Sequence, residues 1–237
     1  MSSSRPIAFI PGWGFQASIA EDCFSASIQL VDLPLLKTSH PTIEMLCHEI
    51  EEKILPRDVV LIGWSLGGLV SIKLYDRHPS SYKALILITS TPCFWAQSDW
   101  PGISKDHQMI FMKNLNREYL IFSDYYLKLI LQPLHFSKLH FHLQSHMIPK
   151  DVFKCYKSYK DILFQSDLLS EFSKIQIPTL LIQGGKDAII PMEVSQHLVK
   201  LNPHLEYYTI PTAGHIPFVT HQNETQTVIE TFLKKIS

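Results

Sequence analysis

The chain of 237 residues lacks the features that mark several broad classes of protein. Its four cysteines form no C-x-x-C pair, so a reducing compartment is expected and a disulfide framework is not. No uninterrupted apolar run is long enough to span a bilayer, and no signal peptide is evident after Met1. The net charge is only −1, whereas nucleic-acid-binding domains are usually clearly basic. We therefore expect a cytoplasmic monomer that neither spans a membrane nor binds nucleic acid.

Short apolar strands alternate with helical stretches along most of the chain. Strands are predicted at residues 7–10, 28–31, 59–62, 84–88, 179–183 and 205–210. Helices are predicted at residues 42–54, 66–77, 192–201 and 222–235. Several of the strands are nearly continuous Val, Ile and Leu, which is typical of strands covered on both faces. The alternation predicts an α/β fold with a mostly parallel, doubly wound sheet.

One long interval breaks this alternation. Residues 94–172 contain helical segments rich in Phe, Tyr, Leu and Lys but no strong strand pattern. An insertion between two strands of an open α/β sheet is expected to lie over the carboxyl ends of the strands, where ligands bind. We therefore expect an α/β core made of residues 1–93 and 173–237, and a helical lid made of residues 94–172. The alternative is that the insertion is a separate interaction domain.

The most informative motif is Gly-Trp-Ser-Leu-Gly at residues 63–67, which has the form G-x-S-x-G. It lies between a predicted strand and a predicted helix, which is the context of a nucleophile elbow. The flanking glycines leave room for a strained turn, because a Cβ at either position would clash with neighbouring backbone. Ser65 is therefore the candidate nucleophile. The alternative is an ordinary glycine-rich loop in which Ser65 caps the helix.

A serine nucleophile needs a base, and the base needs an orienting acid. Asp187 follows the strand at 179–183 and His215 follows the strand at 205–210, so both lie at the same edge of the sheet as Ser65. We predict that His215 accepts the Ser65 proton and that Asp187 orients His215. Asp187 is also compatible with a turn or capping role. The remaining candidates for the base and the acid are His221, Asp161 and Asp167.

The transition state of such a reaction needs two N–H donors to form an oxyanion hole. One is predicted at Leu66, the residue after the nucleophile. The other is predicted at Trp13, in the glycine-rich loop after the first strand, where glycines permit close approach to a substrate oxygen. The alternative for Trp13 is simple packing in the core.

These residues together resemble the α/β-hydrolase superfamily over essentially the whole chain. The closer likeness is to the pimeloyl-[acyl-carrier protein] methyl ester esterases of biotin synthesis. Four stretches carry it: residues 12–14, 63–70, 213–218, and 90–94 with 99–103. The resemblance implies a cofactor-free esterase acting on a methyl pimeloyl chain held by acyl carrier protein. It assigns the triad to Ser65, Asp187 and His215 and the oxyanion hole to Trp13 and Leu66. The usual His-Gly before the oxyanion loop is Pro-Gly here.

The predicted lid carries charge of one sign over a short stretch. Between residues 138 and 160, five lysines stand against a single acid, Asp151, and are candidate contacts for an acidic carrier: Lys138, Lys150, Lys154, Lys157 and Lys160. The resembling family uses arginines in the lid, and a solvated helix face is the alternative. No metal is expected, because no carboxylate or cysteine completes a site with the region's histidines, His135, His140, His142 and His146. Six aromatic residues are expected to line an acyl channel or to form the core of the lid: Phe111, Phe122, Tyr125, Tyr126, Phe136 and Phe153.

The predicted function is therefore that of a serine carboxylesterase. The family resemblance implies that it hydrolyses the methyl ester of pimeloyl-[acyl-carrier protein], through an acyl-enzyme on Ser65. Because fold and triad alone do not determine the substrate, a general short-chain carboxylesterase or a thioesterase remains an alternative. A non-catalytic binding protein of the same fold is a further alternative.

Overall fold

The architecture is an open parallel sheet covered by helices. A computed structural model describes residues 6–24, 27–54, 58–97, 99–134 and 138–236. Within them the strands are β1 (Ile7–Ile10), β2 (Ile28–Leu30), β3 (Val59–Trp64), β4 (Tyr82–Ile88), β5 (Ala96–Gln97), β6 (Trp100–Pro101), β7 (Thr179–Gly184) and β8 (Leu205–Ile210). Six of them form one sheet in the order β2-β1-β3-β4-β7-β8, with every neighbouring pair parallel. The predicted fold class is confirmed.

Helices fill the connections between the strands. They are α1 (Ile43–Glu51), α2 (Leu66–Arg77), α3 (Lys105–Leu115), α4 (Tyr119–Leu131), α5 (Lys138–Ser145), α6 (Lys150–Tyr156), α7 (Lys160–Gln165), α8 (Leu169–Ser173), α9 (Met192–Leu201), α10 (Pro217–Thr220) and α11 (Gln222–Lys235). The predicted bounds are correct for α2, α9 and α11, whereas α1 is shorter at both ends than predicted. Thr42 is the N-cap of α1, because its hydroxyl accepts a hydrogen bond from the Met45 N–H.

Burial along the strands follows their place in the sheet. Every residue of β1, β3 and β7 is buried, and β4 is buried except at Lys83. The edge strand β8 instead alternates between half-buried and exposed positions up to its last residue, Ile210, which is buried. Central strands covered on both faces need continuous apolar sequence, and an edge strand does not. The sequence pattern is therefore explained by the strand order.

The direction of the chain across the sheet reverses at β1. From β1 the chain moves outward to β2, returns past β1 to β3, and then continues away through β4, β7 and β8. Right-handed connections place elements on opposite faces when the direction reverses. The carboxyl ends of β1 and β3 therefore flank a topological switch point, where ligands bind in open α/β sheets. The loop after β1 and Ser65 lie there.

The insertion leaves and rejoins the sheet at neighbouring points. Cys93 forms an antiparallel bridge with Asp167, and the Leu168 N–H donates to the Pro92 carbonyl at 2.9 Å. Between these points lie α3 to α7 and the hairpin β5–β6, in which Ala96 faces Pro101. The hairpin was not predicted. The division into core and lid at 94–172 stays a prediction, and α8 packs against α2.

Helix length and polarity also bear on membrane association. Across the described ranges, no helix combines the length and apolar character needed to cross a bilayer.

Candidate active site

The turn between β3 and α2 holds Ser65 in a strained conformation. Its φ is +52° and its ψ is −117°, a region that non-glycine residues rarely adopt. The backbone is packed so closely that a Cβ on Gly67 would lie 2.1 Å from the Ile10 carbonyl oxygen. The Ser65 N–H donates to the Ile88 carbonyl at 3.0 Å, and the Ser65 carbonyl accepts from the Ser90 hydroxyl at 2.6 Å. The neighbouring strands β1 and β4 thus hold the elbow in place.

The alternative prediction, that the Ser65 side chain caps α2, is wrong. Ser65 occupies the N-cap position of α2, but its hydroxyl makes no capping hydrogen bond. The side chain instead lines a cavity and is 5% exposed. A strained serine with an uncommitted hydroxyl at the start of a helix is the geometry of a nucleophile elbow.

Asp187 and His215 form a buried pair next to this turn. His215 Nδ1 lies 2.9 Å from Asp187 Oδ2 and 3.1 Å from Asp187 Oδ1, and both side chains are fully buried. His215 Nε2 is buried and has no hydrogen-bond partner among the described residues. A carboxylate on one ring nitrogen fixes the proton there and leaves the other nitrogen as an acceptor. His215 is therefore arranged to accept a proton at Nε2.

Three further donors hold the Asp187 carboxylate. The N–H groups of Ile189 and Ile190 donate to Oδ1 at 2.8 and 3.2 Å. The Gln183 amide nitrogen donates to Oδ2 at 3.1 Å, and the Gln183 Oε1 is buried without a partner within the described chain. With the His215 contacts, each carboxylate oxygen has at least two donors. Asp187 does occupy a turn, which was the alternative role considered for it in the sequence analysis. Its carboxylate also contacts His215.

The backbone of His215 is fixed by two side chains from neighbouring strands. The Trp64 indole N–H and the Thr89 hydroxyl both donate to the His215 carbonyl at 2.8 Å. The Trp64 and His215 rings lie 5.9 Å apart, centroid to centroid. Trp64 directly precedes Ser65, so this contact brings His215 beside the elbow. Sequence reasoning missed Gln183, Trp64 and Thr89, although a polar Gln183 at the end of an apolar strand was a usable signal.

The loop after β1 lies directly against the elbow. A Cβ on Gly12 would lie 3.2 Å from Ser65 Cβ, so the next residue, Trp13, is close to the nucleophile. Neither the Trp13 N–H nor the Leu66 N–H donates a hydrogen bond to any part of the chain that the structure describes. Two uncommitted N–H groups beside Ser65 are suited to bind an oxyanion.

The Trp13 side chain packs inside a cage of aromatic rings. Its ring centroid lies between 5.4 and 5.8 Å from those of four aromatic residues: Phe111, Phe122, Tyr126 and Phe153. Its indole N–H donates to the Tyr156 carbonyl at 3.1 Å, and its own carbonyl accepts from the Tyr126 hydroxyl at 3.0 Å. Burial, with a smaller contribution from the Asp187 charge, raises the pKa of Tyr126, so this hydroxyl stays a donor. The Trp13 indole therefore packs in the core, as the alternative interpretation of this residue predicted.

A cavity of about 90 Å³ opens at Ser65 between the sheet and the insertion. Its walls come from α3, α4, α7, the segment around β5–β6 and the loop after β7. Of the six aromatic residues predicted to line a channel, Phe111, Tyr125 and Tyr126 do so, whereas Phe122 and Phe153 pack around Trp13. The sixth, Phe136, lies outside the described residues.

The five lysines lie away from this cavity and none lines it. Lys138 is on α5, Lys150 and Lys154 are on α6, and Lys157 follows them, with its ammonium 5.9 Å from the Phe153 ring centroid. Within the described residues these four have no acidic partner within 4 Å. The fifth, Lys160, pairs with Asp161 at 2.6 Å.

The remaining candidate residues lie apart from His215. His221 contacts the hydroxyls of Thr212 and Thr220, and Asp161 pairs with Lys160. Asp167 accepts from the Gln97 amide. Among the residues with described positions, no group of three or more His, Cys, Asp or Glu is placed to hold a metal ion. His135 falls outside those residues.

Comparison with known proteins shows the family to which the chain belongs. Residues 41–220 match the family model described as serine aminopeptidase, S33. The chain is 31% identical over 251 aligned positions to the pimeloyl-[acyl-carrier protein] methyl ester esterase of Wigglesworthia glossinidia brevipalpis. That alignment covers 100% of this chain and 96% of the relative. The chain belongs to the α/β-hydrolase family.

Solved structures share the fold of this hydrolase. A hydrolase from Oleispira antarctica superposes with a TM-score of 0.83 and 18% identity, over 98% of this chain and 92% of the other. An esterase from Exiguobacterium antarcticum superposes with a TM-score of 0.83 and 18% identity, over 99% and 93%. At such identities the likeness establishes the fold, and substrate has to be inferred from the site.

Proposed function

We propose that this α/β-hydrolase is a cytoplasmic serine carboxylesterase that hydrolyses the methyl ester of pimeloyl-[acyl-carrier protein]. The observation that carries the chemistry is the buried Asp187–His215 pair, with His215 Nε2 uncommitted and the His215 carbonyl bound by Trp64, the residue before the strained Ser65. The relative named as a pimeloyl-[acyl-carrier protein] methyl ester esterase supports the substrate. No resident cofactor enters the proposed reaction.

In the proposed mechanism His215 Nε2 removes the Ser65 proton as the hydroxyl attacks the ester carbonyl. The negative oxygen of the tetrahedral intermediate then binds the N–H groups of Trp13 and Leu66. His215 returns the proton to the methoxy oxygen, methanol leaves, and the acyl group stays on Ser65. Water, deprotonated by His215, attacks the acyl-enzyme and releases the carboxylate. Asp187 keeps the Nδ1 proton in place and stabilises the imidazolium throughout.

Three exposed lysines and the half-buried Lys157 support an acidic carrier as partner. Lys138, Lys150, Lys154 and Lys157 present four positive charges without acidic partners among the described residues. Positive charge clustered on one surface accelerates encounter with an acidic protein and fixes its orientation. In this proposal the carrier contacts α5 and α6 while its acyl chain reaches the cavity.

Hydrolysis of methyl pimeloyl-[acyl-carrier protein] by the purified protein tests the reaction. We expect turnover that is lost in Ser65→Ala, together with loss of fluorophosphonate labelling, because the variant lacks the nucleophile. Ser195→Ala is the matched control, since Ser195 is also buried but lies on α9 and its hydroxyl has no partner among the described residues. Turnover only of short p-nitrophenyl esters would support the general carboxylesterase instead. Labelling that persists in Ser65→Ala would contradict the mechanism.

Charge reversal tests the carrier contact. The triple variant Lys150→Glu, Lys154→Glu, Lys157→Glu should raise KM for the carrier-bound ester about tenfold or more and leave a small free ester unaffected, because only the carrier meets the lysines. The control reverses three exposed lysines elsewhere on the fold: Lys37, Lys83 and Lys200. Equal effects of the two triple variants on the carrier-bound ester would contradict docking at α6.

A further inference from the structure

The chain leaves β4 through two consecutive residues whose side chains reach the nucleophile and the base of the proposed triad. The Thr89 hydroxyl donates to the His215 carbonyl at 2.8 Å, and the Ser90 hydroxyl donates to the Ser65 carbonyl at 2.6 Å. Both side chains are fully buried. Thr89 and Ser90, called the brace here, therefore join two residues that lie far apart in the chain.

The backbone around Thr89 is bonded to the same parts of the site. The Ile88 carbonyl accepts from the Ser65 N–H at 3.0 Å, so the residues on either side of Thr89 bind both ends of Ser65. The Thr89 N–H donates to the Ile182 carbonyl at 2.8 Å, next to Gln183, whose amide binds the acid. The brace is thus connected to the nucleophile, to the base and to the strand that supports the acid.

The Thr89 backbone has an unfavourable conformation. Its φ is +42°, in the left-handed region, where a β-branched residue is an outlier and glycine is unstrained. Residues with such strain cluster at functional sites, where the surrounding structure holds them. Threonine supplies two groups there that glycine lacks, a buried methyl group and the hydroxyl bonded to His215. Substitution can separate the two.

The brace acts on the position of its partners and leaves the substrate untouched. Neither of its residues is among the described residues that line the cavity. Each hydroxyl shares its carbonyl with other donors, which are the Trp64 indole at His215 and two N–H groups of α2 at Ser65. Loss of one hydroxyl therefore leaves no carbonyl unpaired, but it gives that carbonyl more freedom to shift. Acyl transfer is sensitive to such shifts, because a displacement of about 1 Å can lower the rate about 100-fold.

We propose that Thr89 and Ser90 are positioning residues that set the distance and angle between His215 Nε2 and the Ser65 hydroxyl. They do so by fixing the backbone of both residues from one short segment. The inference rests on the proposed Ser65 chemistry and extends it to residues that touch neither the substrate nor the reacting atoms. Their loss lowers kcat and leaves KM unchanged.

Two substitutions of Thr89 separate positioning from packing. Thr89→Val keeps the β-branched shape and loses the hydroxyl bond, whereas Thr89→Ser keeps the hydroxyl and loses the methyl group. On a short p-nitrophenyl ester we expect Thr89→Val to lower kcat about tenfold or more at unchanged KM, and Thr89→Ser to keep kcat within about threefold of wild type. The rate of fluorophosphonate labelling should fall in parallel with kcat, because labelling depends on the same base.

Thr91→Val is the matched control for the loss of a buried hydroxyl. Thr91 lies in the same segment, and its hydroxyl donates to the Cys93 carbonyl at 2.8 Å. This bond reaches neither Ser65 nor His215, so kcat should stay at the wild-type level. Urea unfolding of both valine variants measures how much stability each of them loses.

Ser90→Ala tests the other half of the brace and does not depend on the folding of Thr89→Val. It should lower kcat about tenfold at unchanged KM, since the Ser65 carbonyl loses its contact with the segment after β4. Because the two hydroxyls set one relative position, the double variant Thr89→Val, Ser90→Ala should lose less kcat than the product of the two single losses. Single losses that simply multiply would indicate two independent contacts and would overturn the brace.

The outcomes distinguish the brace from the esterase chemistry. A kcat within about threefold of wild type in both Thr89→Val and Ser90→Ala, with Ser65→Ala inactive, would overturn the brace and keep the serine esterase. An equal loss of kcat in Thr89→Val and Thr89→Ser, or in Thr89→Val and Thr91→Val, would assign the effect to packing and also overturn it. A wild-type protein that neither hydrolyses an ester nor reacts with the fluorophosphonate would overturn the proposed function and the brace together.

Discussion

Replacing Asp187 by asparagine keeps the size of the side chain and exchanges one acceptor oxygen for a donor nitrogen. The structure determines which oxygen is exchanged. Oδ1 accepts hydrogen bonds from the Ile189 and Ile190 N–H groups, so the asparagine oxygen must take that position. The new amide nitrogen then takes the Oδ2 position, 2.9 Å from His215 Nδ1. The change therefore puts a donor where both His215 Nδ1 and the Gln183 amide nitrogen now find an acceptor, and it leaves the bonds from Ile189 and Ile190 in place.

The consequence is a change of tautomer in His215. A donor at the Oδ2 position requires an unprotonated Nδ1, so the ring proton moves to Nε2. That nitrogen is then unable to accept the Ser65 proton, which the mechanism requires. We expect kcat to fall about 10⁴-fold, or roughly 5 kcal/mol of transition-state stabilisation, with little change in KM.

Folding stability should change much less than activity. The asparagine nitrogen would face the Gln183 amide nitrogen, which is 3.1 Å from Oδ2. Gln183 can turn its amide so that its buried Oε1, unpaired among the described residues, accepts from the new donor. The assay is kcat on a small methyl ester beside urea unfolding, with Asp167→Asn as the control. Asp187→Asn activity within tenfold of wild type would refute the assignment, as would a larger loss in Asp167→Asn.

Two further substitutions test contacts around the site. Gln183→Leu removes one donor from the Asp187 carboxylate and should lower kcat about tenfold at unchanged KM, measured on the same ester, since bonds to charged groups contribute about 1.5–3 kcal/mol. An unchanged kcat would show that the bond is dispensable. Gly67→Ala places a Cβ 2.1 Å from the Ile10 carbonyl oxygen and should lower the free energy of unfolding in urea by about 3 kcal/mol or more. A loss below about 1 kcal/mol would contradict the close packing of the elbow.

The order of strands and helices was predictable because burial and sequence pattern agree in this fold. The predicted strand at 59–62 ended early because Gly63 suggests a turn, whereas β3 continues to Trp64. The strand predicted at 84–88 began late because exposed Lys83 interrupts the apolar run after Tyr82. The hairpin β5–β6 was missed because two-residue strands carry no periodicity.

The sequence predicts candidate site residues only where they directly follow a strand. Ser65, Asp187 and His215 each follow a strand, and strand ends can be located from sequence. The contacts that hold them depend on which strands are neighbours. Thr89, for example, binds a carbonyl 126 residues further along the chain. No local pattern predicts such a bond.

Two hydrogen bonds tie the loop that carries Trp13 to helices of the insertion. The Tyr126 hydroxyl on α4 donates to the Trp13 carbonyl, and the Tyr156 carbonyl at the end of α6 accepts from the Trp13 indole. In the proposed mechanism this loop supplies one of the two oxyanion donors. An outward movement of either helix would break one of these bonds, so under that proposal access to the cavity and support of the oxyanion would exclude one another. An ester passing an open mouth would then meet a serine without its oxyanion support.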